Sequence, residues 1–167
     1  SPELEALVAT GSGARLTFSE LNRGSNRTAN MLGDLGVAKG DRVALLLMND
    51  VEFVESFFAI AKIGAVVVPL NWRLVADELA FILDDSGATT LIFGHEFADV
   101  AAELRGRTKE CAAISNWLVT GTAEPGPTMA SYKQLQARAS DEEPWTGASD
   151  GDELYIMYTS GTTGLPK

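Results

Sequence analysis

Arg42-Val43-Ala44-Leu45-Leu46-Leu47-Met48 and Ala65-Val66-Val67-Val68-Pro69 are two apolar runs separated by a stretch whose hydrophobic period is helical. The first is bounded by Gly40-Asp41 and Asn49-Asp50 and shows no polar alternation, the pattern of a strand covered on both faces. Between the runs, Val54, Phe57, Phe58 and Ala61 fall at i, i+3, i+4 and i+7, which predicts a helix with those four as its buried stripe. Gly64 is placed to end that helix. Pro69 has no N–H to give a ladder and so ends the second strand. Strand, helix, strand with both strands buried is a β-α-β unit, and its strands pair parallel.

The same alternation extends in both directions. Thr17-Phe18-Ser19-Glu20 is a capping-box pattern that starts a helix. Leu21, Ser25, Ala29 and Leu32 lie on its inner side, Arg23 and Arg27 on its wet side, and Gly36 stops it in a left-handed conformation. Downstream, Asp77 and Glu78 open a third helix where carboxylates favour the dipole. Leu79, Ile82 and Leu83 form its buried side and Gly87 closes it. Thr89 to Phe93 reads as a strand, and Phe97, Val100, Ala101 and Leu104 as another helical face. Beyond Arg105 the pattern weakens, with a strand at Trp117 to Thr120, a short helix at Tyr132 to Ala137 and a last strand at Leu154 to Tyr158. The expected fold class is α/β, a mostly parallel, helix-covered sheet built from repeated β-α-β units.

At 167 residues and 46% hydrophobic content, the chain is long enough to bury a core. Thirteen basic residues against twenty-three acidic ones give a net charge of −10, which argues against nucleic acid or an anionic membrane as partner, since both demand clustered Lys and Arg. Cys111 is the one cysteine, so no disulfide framework is possible, and a buried, inert thiol is expected. Ser1-Pro2-Glu3-Leu4-Glu5 lacks the blocks of a signal peptide, and no stretch approaches the roughly 20 apolar residues that span a bilayer. A cytoplasmic location is expected, with transient approach to a membrane if the substrate is fatty.

Several polar residues invite chemistry but read more simply as structure. His95, the one histidine, has no Ser or Cys nucleophile motif beside it and reads as a plain surface or helix-entry residue. Asp84 and Asp85 are helix neighbours that point apart and cannot face each other as an acid/base pair; both read as solvated. Asp141-Glu142-Glu143-Pro144 reads as a solvated acidic loop with no metal role. Asn71 is expected to fix a turn, with Trp72 and Arg73 serving packing and helix entry. Phe57 and Phe58 are expected in the core.

The chain ends in Tyr158-Thr159-Ser160-Gly161-Thr162-Thr163-Gly164-Leu165-Pro166-Lys167. Its glycines allow positive φ, so successive N–H groups can converge on an anion. Ser160, Thr162 and Thr163 add hydroxyl donors, and Lys167 adds a point charge suited to phosphate. It is not a Walker loop, because Lys167 stands three residues beyond Gly164 instead of beside a glycine. This stretch resembles the phosphate-loop signature of the adenylate-forming (AMP-binding) superfamily, which includes acyl-CoA synthetases. Gly40-Asp41-Arg42-Val43-Ala44 and the segment from Ala61 to Asn71 are similar to its earlier motifs. The likeness is greatest to fatty-acid and aryl-acid CoA ligases.

The resemblance implies that residues 1–167 are the N-terminal part of an adenylation domain, the rest of that domain and a C-terminal domain lying elsewhere. It implies a ligase that activates a carboxylic acid, most simply a fatty acid, with ATP to acyl-AMP and passes the acyl group to coenzyme A. Thr159, Ser160, Gly161, Thr162, Thr163, Gly164 and Lys167 would hold ATP, with the Mg2+ ligand and catalytic residues outside this chain. The chain alone is then expected to be inactive, and to self-associate through apolar surface. A small non-enzymatic α/β binding module, or an adenylation fragment serving another acceptor, stays open at this point.

Overall fold

The computed structural model describes residues 1–121, 129–144 and 147–159. Glu5–Val8 (β1) and Arg15–Thr17 (β2) pair antiparallel as a hairpin beside the main body. Thr17 then caps the helix Phe18–Asp34 (α1): its hydroxyl accepts from the Glu20 N–H at 3.2 Å, and the Glu20 carboxylate accepts from the Thr17 N–H at 2.8 Å. The reciprocal cap read from the sequence is present. Those hydrogen bonds, the backbone one foremost, hold the Glu20 carboxyl below its ordinary range.

The β-α-β reading holds through the chain. Arg42–Leu46 (β3) leads to Val51–Lys62 (α2) and Val66–Pro69 (β4). Ala76–Ser86 (α3), Thr90–Gly94 (β5), a 3-10 turn at His95–Phe97, Ala98–Gly106 (α4) and Asn116–Thr120 (β6) follow. Ala130–Ser131 (β7) and Tyr132–Arg138 (α5) complete the order. Gly87, at φ +64°, closes α3 in the left-handed conformation that its missing Cβ permits.

The sheet is five-stranded and wholly parallel, in the order β4-β3-β5-β6-β7. β3 is flanked on both sides, which explains why its sequence carries no polar alternation. Period-two geometry instead sorts its apolar residues between two cores. Ala44 and Leu46 join Leu91, Phe93, Trp117 and Val119 under α3 and α4. Val43, Leu45, Ile92 and Leu118 face α1, α2 and Tyr132. Each fully buried Leu or Ile contributes about 1.5–3 kcal/mol, so the sheet and its two helical layers hold one another in place.

Three expectations are corrected. In α2 the buried face is Glu55, Ser56, Ala59 and Ile60, not the stripe of Val54, Phe57, Phe58 and Ala61. Phe58 is 47% exposed, and Phe57 sits half-buried against it, edge to face at 6.1 Å. Side-chain hydrogen bonds to α5 let the polar pair turn inward. The strand expected at Leu154 to Tyr158 reduces to a parallel bridge between Tyr155 and Val67. The Asp141–Pro144 loop is not merely solvated. The Asn30 amide donates to the carbonyls of Ser140 and Glu142 at 2.8 and 3.0 Å, and Asn26 donates to that of Asp141 at 3.0 Å. Lys62 pairs with Glu143, holding that carboxyl below its ordinary range.

Candidate functional site

The phosphate-loop residues Ser160, Gly161, Thr162, Thr163, Gly164 and Lys167 lie outside the described residues. Thr159 is within them, and the approach to it is well defined. The Val67 N–H donates to the Leu154 carbonyl at 3.0 Å, and the Ile156 N–H donates back to the Val67 carbonyl at 2.9 Å. The segment therefore runs along the outer edge of β4, in the same direction, toward the carboxyl ends of the strands. Open α/β sheets bind ligands at those ends.

Alternation decides which side chains of this segment are anchored. Ile156 and Tyr158 pack against the core under α3 and α4. Tyr155 and Met157 point the other way and are 51% and 62% exposed. Tyr158 is held at its tip as well, because its hydroxyl donates to Asp85 Oδ2 at 2.6 Å. Asp85 is thus not simply solvated, as its place in an acidic pair implied. Partial burial, then the carboxylate beside it, raise the Tyr158 phenol above its ordinary range, so it stays a protonated donor.

The linker that delivers this segment is fastened from below. Lys39 Nζ donates to the Gly147 carbonyl at 2.7 Å and pairs with Asp152 at 2.8 Å, which holds the Asp152 carboxyl below its ordinary range. The aliphatic stem of Lys39 passes against Gly64, where an added Cβ would stand 3.1 Å from the lysine Cγ and 3.4 Å from the Ala148 methyl. Gly64, read as a helix stop, also makes this close passage possible.

Two other features frame the sheet's carboxyl edge. Asn71 fixes the turn after β4, its side-chain oxygen accepting from the Arg73 N–H at 3.0 Å, and the Arg73 guanidinium lies over the Trp72 ring at 4.2 Å. A crevice of about 170 Å³ opens beyond the carboxyl ends of β3, β5 and β6, lined by Asp50, Glu52, His95, Glu96 and the Thr120–Gly121 turn. Three carboxylates and no Lys or Arg among its described lining make it a poor seat for polyphosphate. His95 stands in the 3-10 turn with Nδ1 3.3 Å from Glu96, a surface residue as expected.

One polar cluster had no signal in the sequence. Between α1, α2 and α5, the Gln136 amide donates to Glu55 Oε2 at 2.8 Å and to Thr28 Oγ1 at 2.9 Å. Thr28 Oγ1 also shares a 2.7 Å hydrogen bond with the buried Tyr132 hydroxyl, to which Ser56 donates at 3.3 Å. Burial pushes the Glu55 carboxyl above its ordinary value against the pull of Gln136, and it pushes the Tyr132 phenol up strongly. Cys111 is buried as expected, its thiol raised by desolvation. Among the described residues there is no group of three or more His, Cys, Asp or Glu that could hold a metal ion. No helix of the described residues is long and apolar enough to cross a membrane.

Comparison with known proteins places this geometry. The model of the AMP-binding enzyme family matches residues 1–167. The chain is 42% identical over 167 residues to the long-chain-fatty-acid–CoA ligase FadD13 of Mycobacterium tuberculosis, covering all of this chain and 31% of that protein. It thus spans about a third of that relative's length. Among solved structures, the inhibitor-bound N-terminal domain of FACL13 from Mycobacterium tuberculosis superposes with a TM-score of 0.88 at 41% identity, over 100% of this chain and 40% of that one. The anthranilate CoA ligase AuaEII, in complex with anthranoyl-AMP, does so with a TM-score of 0.91 at 30% identity, over 99% and 31%.

Proposed function

The chain belongs to the AMP-binding enzyme family over its whole length, and on that footing we propose that it is the N-terminal part of the adenylation domain of an ATP-dependent, AMP-forming acid–thiol ligase. The observation that carries this reading is the whole-chain likeness to CoA ligases. The substrate class is a carboxylic acid, first of all a fatty acid, because the name of the FadD13 relative states a long-chain fatty acid. Coenzyme A is the acyl acceptor.

In the reaction, a carboxylate oxygen of the acid attacks the α-phosphorus of ATP. The new O–P bond forms as the bond to the bridging oxygen breaks, and pyrophosphate leaves with the electron pair. The thiolate of coenzyme A then attacks the acyl carbon and expels AMP, giving the thioester. Thr159, Ser160, Gly161, Thr162, Thr163 and Gly164 serve the first step by donating to the β- and γ-phosphates, where charge grows as pyrophosphate departs. Lys167 adds positive charge. Mg2+ supplies charge neutralisation when bound to the nucleotide, and none of the described residues is assigned to it.

The isolated 167-residue chain is inactive in this reading. Three hydrogen bonds to charged phosphate contribute roughly 4.5–9 kcal/mol, against about 4–15 kcal/mol for immobilising the ligand. ATP binding by the loop alone is therefore weak. A cytoplasmic location fits the reading, with brief membrane contact when the acid is fatty. Tyr155 and Met157 share an exposed apolar face, and Leu154 is exposed as well; in the isolated chain this surface favours self-association.

ATP–pyrophosphate exchange, run on the 167-residue chain and on the full product of its gene with a panel of fatty and aryl acids, tests the proposal. Acid-dependent exchange in the full product alone is expected. Exchange by the short chain would refute its inactivity, and silence from both would refute the ligase.

A further inference from the structure

The backbone ladder that guides the terminal segment along β4 ends at Ile156, three residues short of Thr159. Beyond Ile156, the side chain of Tyr158 ties the segment to the body of the fold. Its ring packs against the core under α3 and α4, and its hydroxyl donates to Asp85 Oδ2 at 2.6 Å across 73 residues of sequence. Asp85 sits near the end of α3, a helix fastened to the sheet by Leu79, Ile82 and Leu83. Arg42 ties the C-terminus of α3 to β3, donating to the carbonyls of Ser86 and Gly87 at 3.0 Å each.

From this we propose that Tyr158 and Asp85 are positioning residues for nucleotide binding, the phenol–carboxylate hydrogen bond setting where the phosphate-binding loop leaves the sheet. The inference rests on the functional reading of that loop given above. Thr159 is bonded directly to Tyr158, so a swing of the tyrosine displaces the first loop residue. Met157 is largely exposed and offers no anchor of its own. Tyr has two side-chain torsions, so one hydrogen bond at its tip immobilises the whole ring, and with it the local backbone. Placement errors of about 1 Å at reacting groups cost up to 100-fold in rate, which is why a rigid exit matters here.

A carboxylate acceptor also makes this a stronger tie than one between neutral groups. The phenol's raised proton affinity keeps the donor in place through neutral and mildly alkaline pH. Neither group is placed to touch substrate in this account; both act through the loop.

The test is ATP–pyrophosphate exchange by the full gene product with its best acid, comparing wild type with Tyr158→Phe, Asp85→Ala and the double variant. Tyr158→Phe keeps the ring's packing and removes only the hydroxyl. Each single change is expected to raise the KM for ATP about three- to tenfold, the value of one hydrogen bond, while the KM for the acid and the melting temperature stay close to wild type. The double variant is expected to be no worse than either single one, because both remove the same contact. Asp85→Asn, which retains an acceptor oxygen, is expected to recover most of the loss seen with Asp85→Ala. An unchanged KM for ATP, additive losses in the double variant, or equal rises in both KM values would overturn the inference while leaving the ligase reading intact. Absence of exchange in the wild-type product would overturn the reading and the inference together.

Discussion

Gln136 on α5 donates through Nε2 to Glu55 Oε2 on α2 at 2.8 Å, across 81 residues of sequence, and the same amide reaches Thr28 on α1 at 2.9 Å. One side chain thus ties three helices together on the face of the sheet opposite α3 and α4. Glu55 is only 8% exposed, so its carboxylate depends on that donor in place of water.

Gln136→Leu keeps side-chain bulk and removes the donor. It is expected to destabilise the fold by about 1–3 kcal/mol, the cost of leaving a buried polar partner unsatisfied, which lowers the melting temperature by about 2–12 °C in a chain of this size. Thermal unfolding followed by circular dichroism reads the shift. An unchanged melting temperature would mean that Glu55 finds another donor.

The pH dependence has a definite sign. The folded Glu55 carboxyl lies above its ordinary value of 4.5, chiefly because of burial, with Glu52 adding repulsion and Arg27 a partial offset. The native state therefore binds more protons than the unfolded chain between pH 4.5 and the raised native value, and stability falls as pH rises through that window. Glu55→Gln, neutral throughout, is expected to gain stability relative to wild type across the window and to keep the gain at neutral pH. Below pH 4.5 the two proteins converge in pH dependence. Denaturant midpoints measured from pH 4 to 8 check this; parallel curves would contradict it.

Opposite faces of α2 make a sharp contrast. Ile60 is fully buried and Phe58 is 47% exposed. Ile60→Ala is expected to cost about 2–5 kcal/mol, while Phe58→Ser is expected to cost less, about 0.5–1.5 kcal/mol, on the order of its edge-to-face contact with Phe57. Urea unfolding of both variants measures the difference. Similar losses would restore the phenylalanine stripe as the buried face.

That stripe shows where sequence reading reached its limit. β3, β4, β5 and β6, the capping box at Thr17 and the stops at Gly36, Gly64 and Gly87 were legible because each is set by residues within one short window. Glu55 and Ser56 turn inward because Gln136 and Tyr132 meet them from a helix some 80 residues away, and no periodicity within α2 records that. The hairpin β1–β2 and the two-residue β7 are too short to produce an alternation. Tyr158 was visible as part of a motif, but its partner Asp85 looked like one of two ordinary surface acids. The acidic loop at 141–144 seemed solvated because its anchors, Asn26, Asn30 and Lys62, lie on other elements.

The central claim is that the terminal loop holds the phosphates of ATP, and Thr163→Val in the full gene product tests it most directly. The substitution preserves shape and removes one hydroxyl donor. Hydrogen bonds to charged groups contribute about 1.5–3 kcal/mol, so acid-dependent ATP–pyrophosphate exchange at subsaturating ATP is expected to fall about 10- to 100-fold with an unchanged melting temperature. Exchange at the wild-type rate would contradict the claim.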